Sequence, residues 1–164
     1  MAEGDFWRWS TAVYARKAVR DACLMLQNQH GLPVNALLWG AWLAHEGQRP
    51  TDAMIAEALA LSAAWNRAVT ASLRAAREGL KSPPAEIPAD PARDLRQSVL
   101  RVELEAERLE QAALEALRAR ATAVRRAPAF ETCAETLARL AAAAGRADAP
   151  IDVLAGAVLG ELAD

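Results

Sequence analysis

The sequence predicts an all-α protein, a bundle of five to six helices with two long members, about residues 52–80 and 92–126. Three observations carry this. Alanine supplies much of the 53% hydrophobic content, and alanine loses no side-chain entropy on entering a helix. Residues that build strands are sparse, and there is one tyrosine. Apolar positions recur at steps of three and four over long runs, which stacks them on one face of a helix.

The first helical stretch runs to about residue 29, with Asp5 or Ser10 as the expected cap, since either side chain accepts from free N–H groups. Ala12, Ala15, Val19, Ala22, Cys23 and Leu26 form its apolar stripe. Lys17 and Asp21, four apart on the opposite side, are placed to pair. Gly31 supplies a left-handed C-terminus and Pro33 opens the next helix, where its missing N–H costs nothing. That second helix, about 33–46, buries Val34, Leu37, Leu38, Ala41 and Trp42. Gly40 allows a neighbour to approach closely at a cost of about 1 kcal/mol in propensity.

Thr51 or Asp52 caps a third helix, 52–80. Its expected stripe is Ile55, Leu59, Ser62, Asn66, Val69, Leu73, Ala76 and Leu80, widened by Met54, Ala58, Leu61 and Trp65. The four prolines of residues 82–91 exclude helix there and read as a strap or linker. The fourth helix repeats Leu95, Val99, Val102, Ala106, Leu109, Ala113 and Ala116 in a four–three rhythm, the spacing of a helix packed along a partner. A short fifth helix spans about 131–144, and a sixth starts at Pro150. The helices before the proline-rich connection expose too much apolar face to be complete alone. The chain therefore reads as one domain, 1–164, of a size that buries roughly 70% of its unfolded surface.

Charge and composition exclude several classes. The formal net charge is −2, so no bulk field draws the protein to nucleic acid. Residues 1–81 carry +2 and residues 82–164 carry −4. Cys23 and Cys133 stand alone, without a zinc or disulfide spacing. No apolar run is long enough to span a membrane, and the N-terminus lacks the basic-then-apolar order of a signal peptide. A cytoplasmic protein is expected.

Four groups of side chains are candidates for function. At the corner between the first two helices stand Gln27, His30 and Asn35, with His45 and Glu46 at the far end. No HxxxH or HExxH brings the two histidines together, so no metal site is expected. A basic stripe of Arg67, Arg74, Arg77 and Lys81 reads as a solvated face or as a patch for an acidic or phosphorylated partner. Trp7, Trp9, Trp39, Trp42 and Trp65 read as core anchors, or in part as an exposed aromatic patch built from Trp7, Trp9 and Trp39. Glu103, Glu107 and Glu110, with Glu105 beside them, read as a solvated face studded with Glu–Arg pairs; carboxylate-bridged metal bundles need ExxH pairs that this chain lacks. Phosphate loops and nucleophile elbows are also missing, so no catalytic residue, cofactor or metal is expected.

The opening stretch resembles the DUF2390 family of proteobacterial proteins. The resemblance rests on Phe6-Trp7, Ser10, Tyr14, Val19, Cys23-Leu24, Leu26-Gln27, Gly31, Val34-Asn35, Leu37-Leu38 and Trp42, and extends through Leu73-Arg74 and Arg77 to Leu80-Lys81. Pro33 stands where the family usually has an acid before the Val-Asn pair. The resemblance implies a helical fold and a bacterial cytoplasmic setting. It implies no reaction.

These features point first to a non-enzymatic helical interaction protein, an accessory or regulatory factor acting as a homodimer or as a subunit of a larger assembly. The alternative is a small-molecule-binding protein or enzyme with a pocket between the first three helices. Its site would comprise Tyr14, Gln27, Asn35 and Trp39, with Arg67, Arg74, Arg77 and Lys81 as the basic elements for an anionic molecule.

Overall fold

The computed structural model describes residues 4–123 and 129–160. Its helices are α1 (Asp5–Tyr14), α2 (Lys17–His30), α3 (Val34–His45), α4 (Asp52–Trp65), α5 (Ala71–Gly79), α6 (Ala89–Ala116), α7 (Ala129–Ala143) and α8 (Asp152–Leu159). The fold is all-α, as the sequence predicts.

Helix α3 is the axis of the bundle. Every residue from Ala36 to Ala44 is buried, so this helix is enclosed by neighbours rather than amphipathic, as expected of a helix apolar on all sides. Trp39 and Trp42 fill its centre, and Phe6 of α1 stacks on Trp42 at 5.2 Å. Gly40 sits directly beneath α7. A Cβ added there would meet Leu140 Cδ1 at 2.5 Å, so the helix pair owes its separation to the missing side chain. The same core continues through Leu114 of α6, Leu137 and Leu140 of α7, and Leu154 of α8.

The N-terminal helical stretch is not continuous. It breaks at Arg16, whose backbone is extended (φ −72°, ψ 129°). Neither glycine nor proline marks the break. A tertiary contact accounts for it: the Arg16 guanidinium donates to the carbonyls of Ala157 and Val158, the exposed acceptors at the C-terminus of α8. Ser10 does not cap α1; Gly4 holds that position without a side-chain bond, and Ser10 is buried. The Lys17–Asp21 pair forms. The α2 C-terminus is closed by Gly31 in the left-handed region (φ 66°), with Leu32 N–H donating back to Leu26. This is the wrapped-around ending that glycine favours.

Thr51 caps α4, its hydroxyl accepting from Met54 N–H at 3.2 Å. Helices α4 and α5 form one rod joined by a π-helical turn, Asn66–Thr70. Residues 82–88 form an exposed turn-rich connection, shorter than the expected 82–91: α6 begins at Ala89 after Pro88 and takes Pro91 into its first turn, where the missing N–H costs nothing. Helix α6 ends earlier than the sequence suggests. It closes through a 3₁₀ turn, Leu117–Arg120, into the short strand β2 (Thr122–Ala123); residues 124–126 of the expected helix lie outside the described residues. Strand β2 pairs antiparallel with β1 (Gln48–Arg49), Gln48 opposite Ala123. Arg118 fastens this exit, lying over Trp42 at 4.8 Å and donating to Glu46 and Gln48.

The face that α6 turns inward corrects the sequence reading. Leu95, Val102 and Leu109 of the expected seam are 55%, 53% and 47% exposed. The buried positions are Ala92, Glu103, Ala106, Glu110, Gln111 and Leu114. Both sets repeat at steps of three and four; the helix buries the polar one because its partners satisfy it.

Candidate functional site

A cleft of about 690 Å³ opens between α1, α2, the start of α3, the α4–α5 rod and α6. Trp7, Ser10, Thr11 and Tyr14 come from α1, and Arg20, Leu24 and Gln27 from α2. Val34, Asn35 and Leu38 form its base. The rod contributes Ser62, Asn66, Thr70, Arg74 and Arg77, and α6 contributes Glu103, Leu104, Glu107, Glu110 and Gln111. The volume lies in the range of small-molecule sites.

The π turn sets the composition of the rod's wall. One extra residue in a turn rolls everything after it by about 100°. The stripe expected to continue through Val69, Leu73 and Ala76 is therefore displaced by one residue, and Thr70, Arg74 and Arg77 face the cleft in its place. An apolar wall becomes a hydroxyl and two guanidinium groups. Thr70 Oγ1 and Asn66 Oδ1, at 3.1 Å, span the turn itself.

Two polar systems meet across the cleft. The first is a chain of hydrogen bonds with a fixed direction. Ser10 donates to Gln111 Oε1 (2.6 Å), Gln111 Nε2 to Asn35 Oδ1 (2.9 Å), and Asn35 Nδ2 to Glu110 Oε2 (2.9 Å). The Glu110 carboxylate can only accept, so it fixes which end of Asn35 faces it and, through Asn35, the orientation of Gln111. The second system is ionic. Arg77 Nε donates to Glu103 Oε2 at 2.5 Å and Arg74 Nε to Glu103 Oε1 at 3.4 Å. Arg74 Nη2 lies 3.9 Å from Glu107. Burial pushes the Glu107 carboxyl above the usual carboxylate range, reinforced by Glu103 and Glu110 and opposed by Arg74 and Arg77. Burial likewise raises the Tyr14 phenol, aided by Cys23 and Glu107 and opposed by Arg20 and Arg74, which keeps it a donor at neutral pH.

The structure brings together Gln27 and Asn35 of the corner, Arg74 and Arg77 of the basic stripe, and Tyr14. Three others fall elsewhere. Trp39 is fully buried in the core and presents nothing to a ligand. Arg67 is exposed away from the cleft, and Lys81 is an exposed partner of Glu78 at 2.5 Å. The basic stripe is thus divided: its middle pair turns inward to Glu103 and its ends remain in solvent. Trp7, Trp9 and Trp65 are half-buried, so no fully exposed tryptophan patch forms. His45 rests against Trp9 at 5.7 Å, and neither histidine lines the cleft.

The acidic face of α6 is the main correction. Glu103, Glu107 and Glu110 line the cleft, while Glu105 alone behaves as expected, exposed and paired with Arg108. The sequence pattern hides this because a glutamate repeat carries no sign of its partners. Asn35 lies 75 residues before Glu110, and the arginines reach Glu103 from another helix. Among the described residues, no group of three or more His, Cys, Asp and Glu could hold a metal ion, and no helix is long and apolar enough to cross a membrane.

A family model described as a protein of unknown function (DUF2390) matches residues 5–114. The match continues well past residue 81 and ends at Leu114, so it contains every wall of the cleft and stops before α7 and α8. No curated protein and no solved structure matches the chain. With two thirds of its length matched, the chain belongs to the DUF2390 family.

Proposed function

We propose that the protein binds a small molecule in the cleft between α1, α2, α3, the α4–α5 rod and α6. One observation carries this reading: a 690 Å³ cavity walled by side chains held in fixed orientation, from Ser10 through Gln111 and Asn35 to Glu110. Buried polar networks cost desolvation, and an orientation set residue by residue is what recognition of a polar molecule uses. The groups are binding groups, and no residue is assigned a chemical step.

The test is a thermal-shift screen of a metabolite library, with native mass spectrometry of freshly purified protein beside it. Thr11→Trp, on the exposed rim of α1, fills the opening while leaving the core untouched. Stabilising compounds that lose their effect in Thr11→Trp support the reading. A library without a hit, together with a clean polypeptide mass, overturns it.

A second reading, the helical interaction protein, has its own observation. Leu95, Val102 and Leu109 form an exposed ridge on α6. Beside it lies an apolar groove of about 360 Å³ lined by Leu61, Trp65, Leu109 and Ala113. Light scattering over a wide concentration range tests self-association there: assembly that Val102→Asp abolishes supports it, and a strict monomer counts against it. The two free, separated thiols suit a reducing compartment, and the cytoplasm is the location proposed.

A further inference from the structure

We propose that the ligand of the cleft carries a cationic amine, received by the carboxylates of Glu107 and Glu110 with the Ser62 hydroxyl opposite. This rests on the small-molecule reading above and narrows it to one ligand chemistry.

The arginines that the rod turns to the cleft are already matched. Arg77 is shared between Glu103 and Glu78, and Arg74 is engaged with Glu103. Among the described residues, Glu107 has only the far edge of Arg74, at 3.9 Å. Glu110 is 7% exposed, its hydrogen-bond partner is the neutral Asn35 amide, and among the described residues it forms no ion pair. A buried carboxylate with no cation is costly. Glu107 and Glu110 stand three residues apart on α6, hence on one face and close enough to repel. A single positive group placed between them satisfies both.

A second observation is independent of the carboxylates. The Ser62 hydroxyl belongs to α4, lines the same cleft, is 2% exposed and has no hydrogen-bond partner among the described residues. Buried polar atoms without partners are rare, and each points to a group that completes it. An ammonium has three donors, and the three acceptors here are two carboxylates and a hydroxyl. Trp7 and Tyr14 line the cavity from α1, and aromatic faces also attract organic cations. The remainder of the ligand is apolar in part, since Leu24 and Leu104 at the cleft are 39% and 46% exposed. An anionic ligand fits worse beside Glu107 and Glu110, because the two arginines of the rod are already engaged by Glu103, Glu78 and Glu107.

The experiment is isothermal titration of the whole protein with three probes of matched shape: phenethylamine, phenethyl alcohol and 3-phenylpropionate. The amine is expected to bind at least tenfold more tightly than the alcohol, as charge-assisted hydrogen bonds exceed neutral ones. The carboxylate is expected to bind most weakly. Glu107→Gln and Glu110→Gln are each expected to weaken the amine severalfold and leave the alcohol unchanged, with melting curves confirming the fold. Lowering the pH into the ordinary carboxylate range is expected to weaken the amine selectively. Glu107, held above its ordinary range, then takes a proton in an environment of Glu103, Glu110, Arg74, Arg77, Tyr14 and Arg20. If the alcohol binds as tightly as the amine, or the carboxylate binds best, the amine inference fails while the small-molecule reading stands. If none of the three binds at millimolar concentration, the inference is overturned, and the library screen alone then decides the wider reading.

Discussion

Exchanging the two ends of the Asn35–Glu110 contact tests the orientation of the whole network. In Asn35→Asp the donor facing Glu110 Oε2 at 2.9 Å becomes a second carboxylate oxygen. The lost bond to a charged acceptor is worth about 1.5–3 kcal/mol. The new repulsion would reach about 6 kcal/mol at that distance for an effective dielectric of 20, but the pair has an escape. One carboxyl can take a proton and donate to the other, which at neutral pH costs about 3.7 kcal/mol for a reference glutamate. That escape sets the ceiling at pH 7 and falls by about 1.4 kcal/mol for each pH unit, leaving about 1 kcal/mol near pH 5. A carboxylate in the first turn of α3 recovers up to about 1 kcal/mol from the helix dipole. Asn35→Asp is therefore expected to lose about 3 kcal/mol at neutral pH and to regain most of it by pH 5. In the double variant Asn35→Asp/Glu110→Gln the new amide donates back to the new carboxylate, and stability is expected to return to within about 1 kcal/mol of the parent. Urea unfolding of the four proteins at both pH values measures each term. An Asn35→Asp penalty that ignores pH, or a double variant no better than the sum of the singles, would refute the hydrogen-bond direction assigned here.

Three further outcomes follow from the same geometry. Glu107→Gln is expected to raise the melting temperature at neutral and mildly alkaline pH: the folded protein holds that carboxyl's proton above its unfolded range, so stability falls as pH rises through the interval between the two. Melting curves that differ as much near pH 4 as near pH 8 would contradict that cause. Burial pushes the Cys23 and Cys133 thiols up to about 12, so alkylation by iodoacetamide at neutral pH should proceed only at the rate of unfolding, and rapid labelling of the native protein would show that the sites are open. Gly40→Ala should destabilise by about 1–2 kcal/mol, the overpacking against Leu140 Cδ1 and Thr136 Cγ2 (2.5 and 3.2 Å from the added Cβ) exceeding the gain in helix propensity; a higher urea midpoint would mean that α3 and α7 separate freely.

Local chemistry made much of the fold legible. The Gly31 ending, the Thr51 cap, the close approach at Gly40 and the proline-rich connection each follow from one residue's own constraints, and each stands in the structure. What was illegible depends on partners distant in sequence. The break at Arg16 is decided by carbonyls at Ala157 and Val158, more than a hundred residues away. The π turn has no fixed residue signature, yet it displaces the rod's inner face by one position and so determines that Arg74 and Arg77, and not Leu73 and Ala76, meet Glu103. The sequence places Tyr14, Gln27 and Asn35 in a pocket between the first three helices, and they do line the cleft. Glu103, Glu107 and Glu110 did not stand out, because three glutamates at helical spacing look alike in solvent and in a cavity.

The orientation of α6 sharpens what the cleft implies. This helix carries two faces at the same spacing, one with Leu95, Val102 and Leu109, the other with Glu103 and Glu110. Turning the apolar face inward would bury three large side chains, each worth about 1.5–3 kcal/mol, and would release the acids to water. The protein does the reverse, and it can do so only because Arg74, Arg77 and Asn35 are in place to meet the inward acids. Replacing such a buried polar set with hydrophobic residues of equal volume is often neutral or stabilising, so stability alone does not account for keeping it. Among the described residues both faces of α6 are left incomplete: an apolar ridge outside without a cover, and inside a carboxylate, Glu110, without a cation.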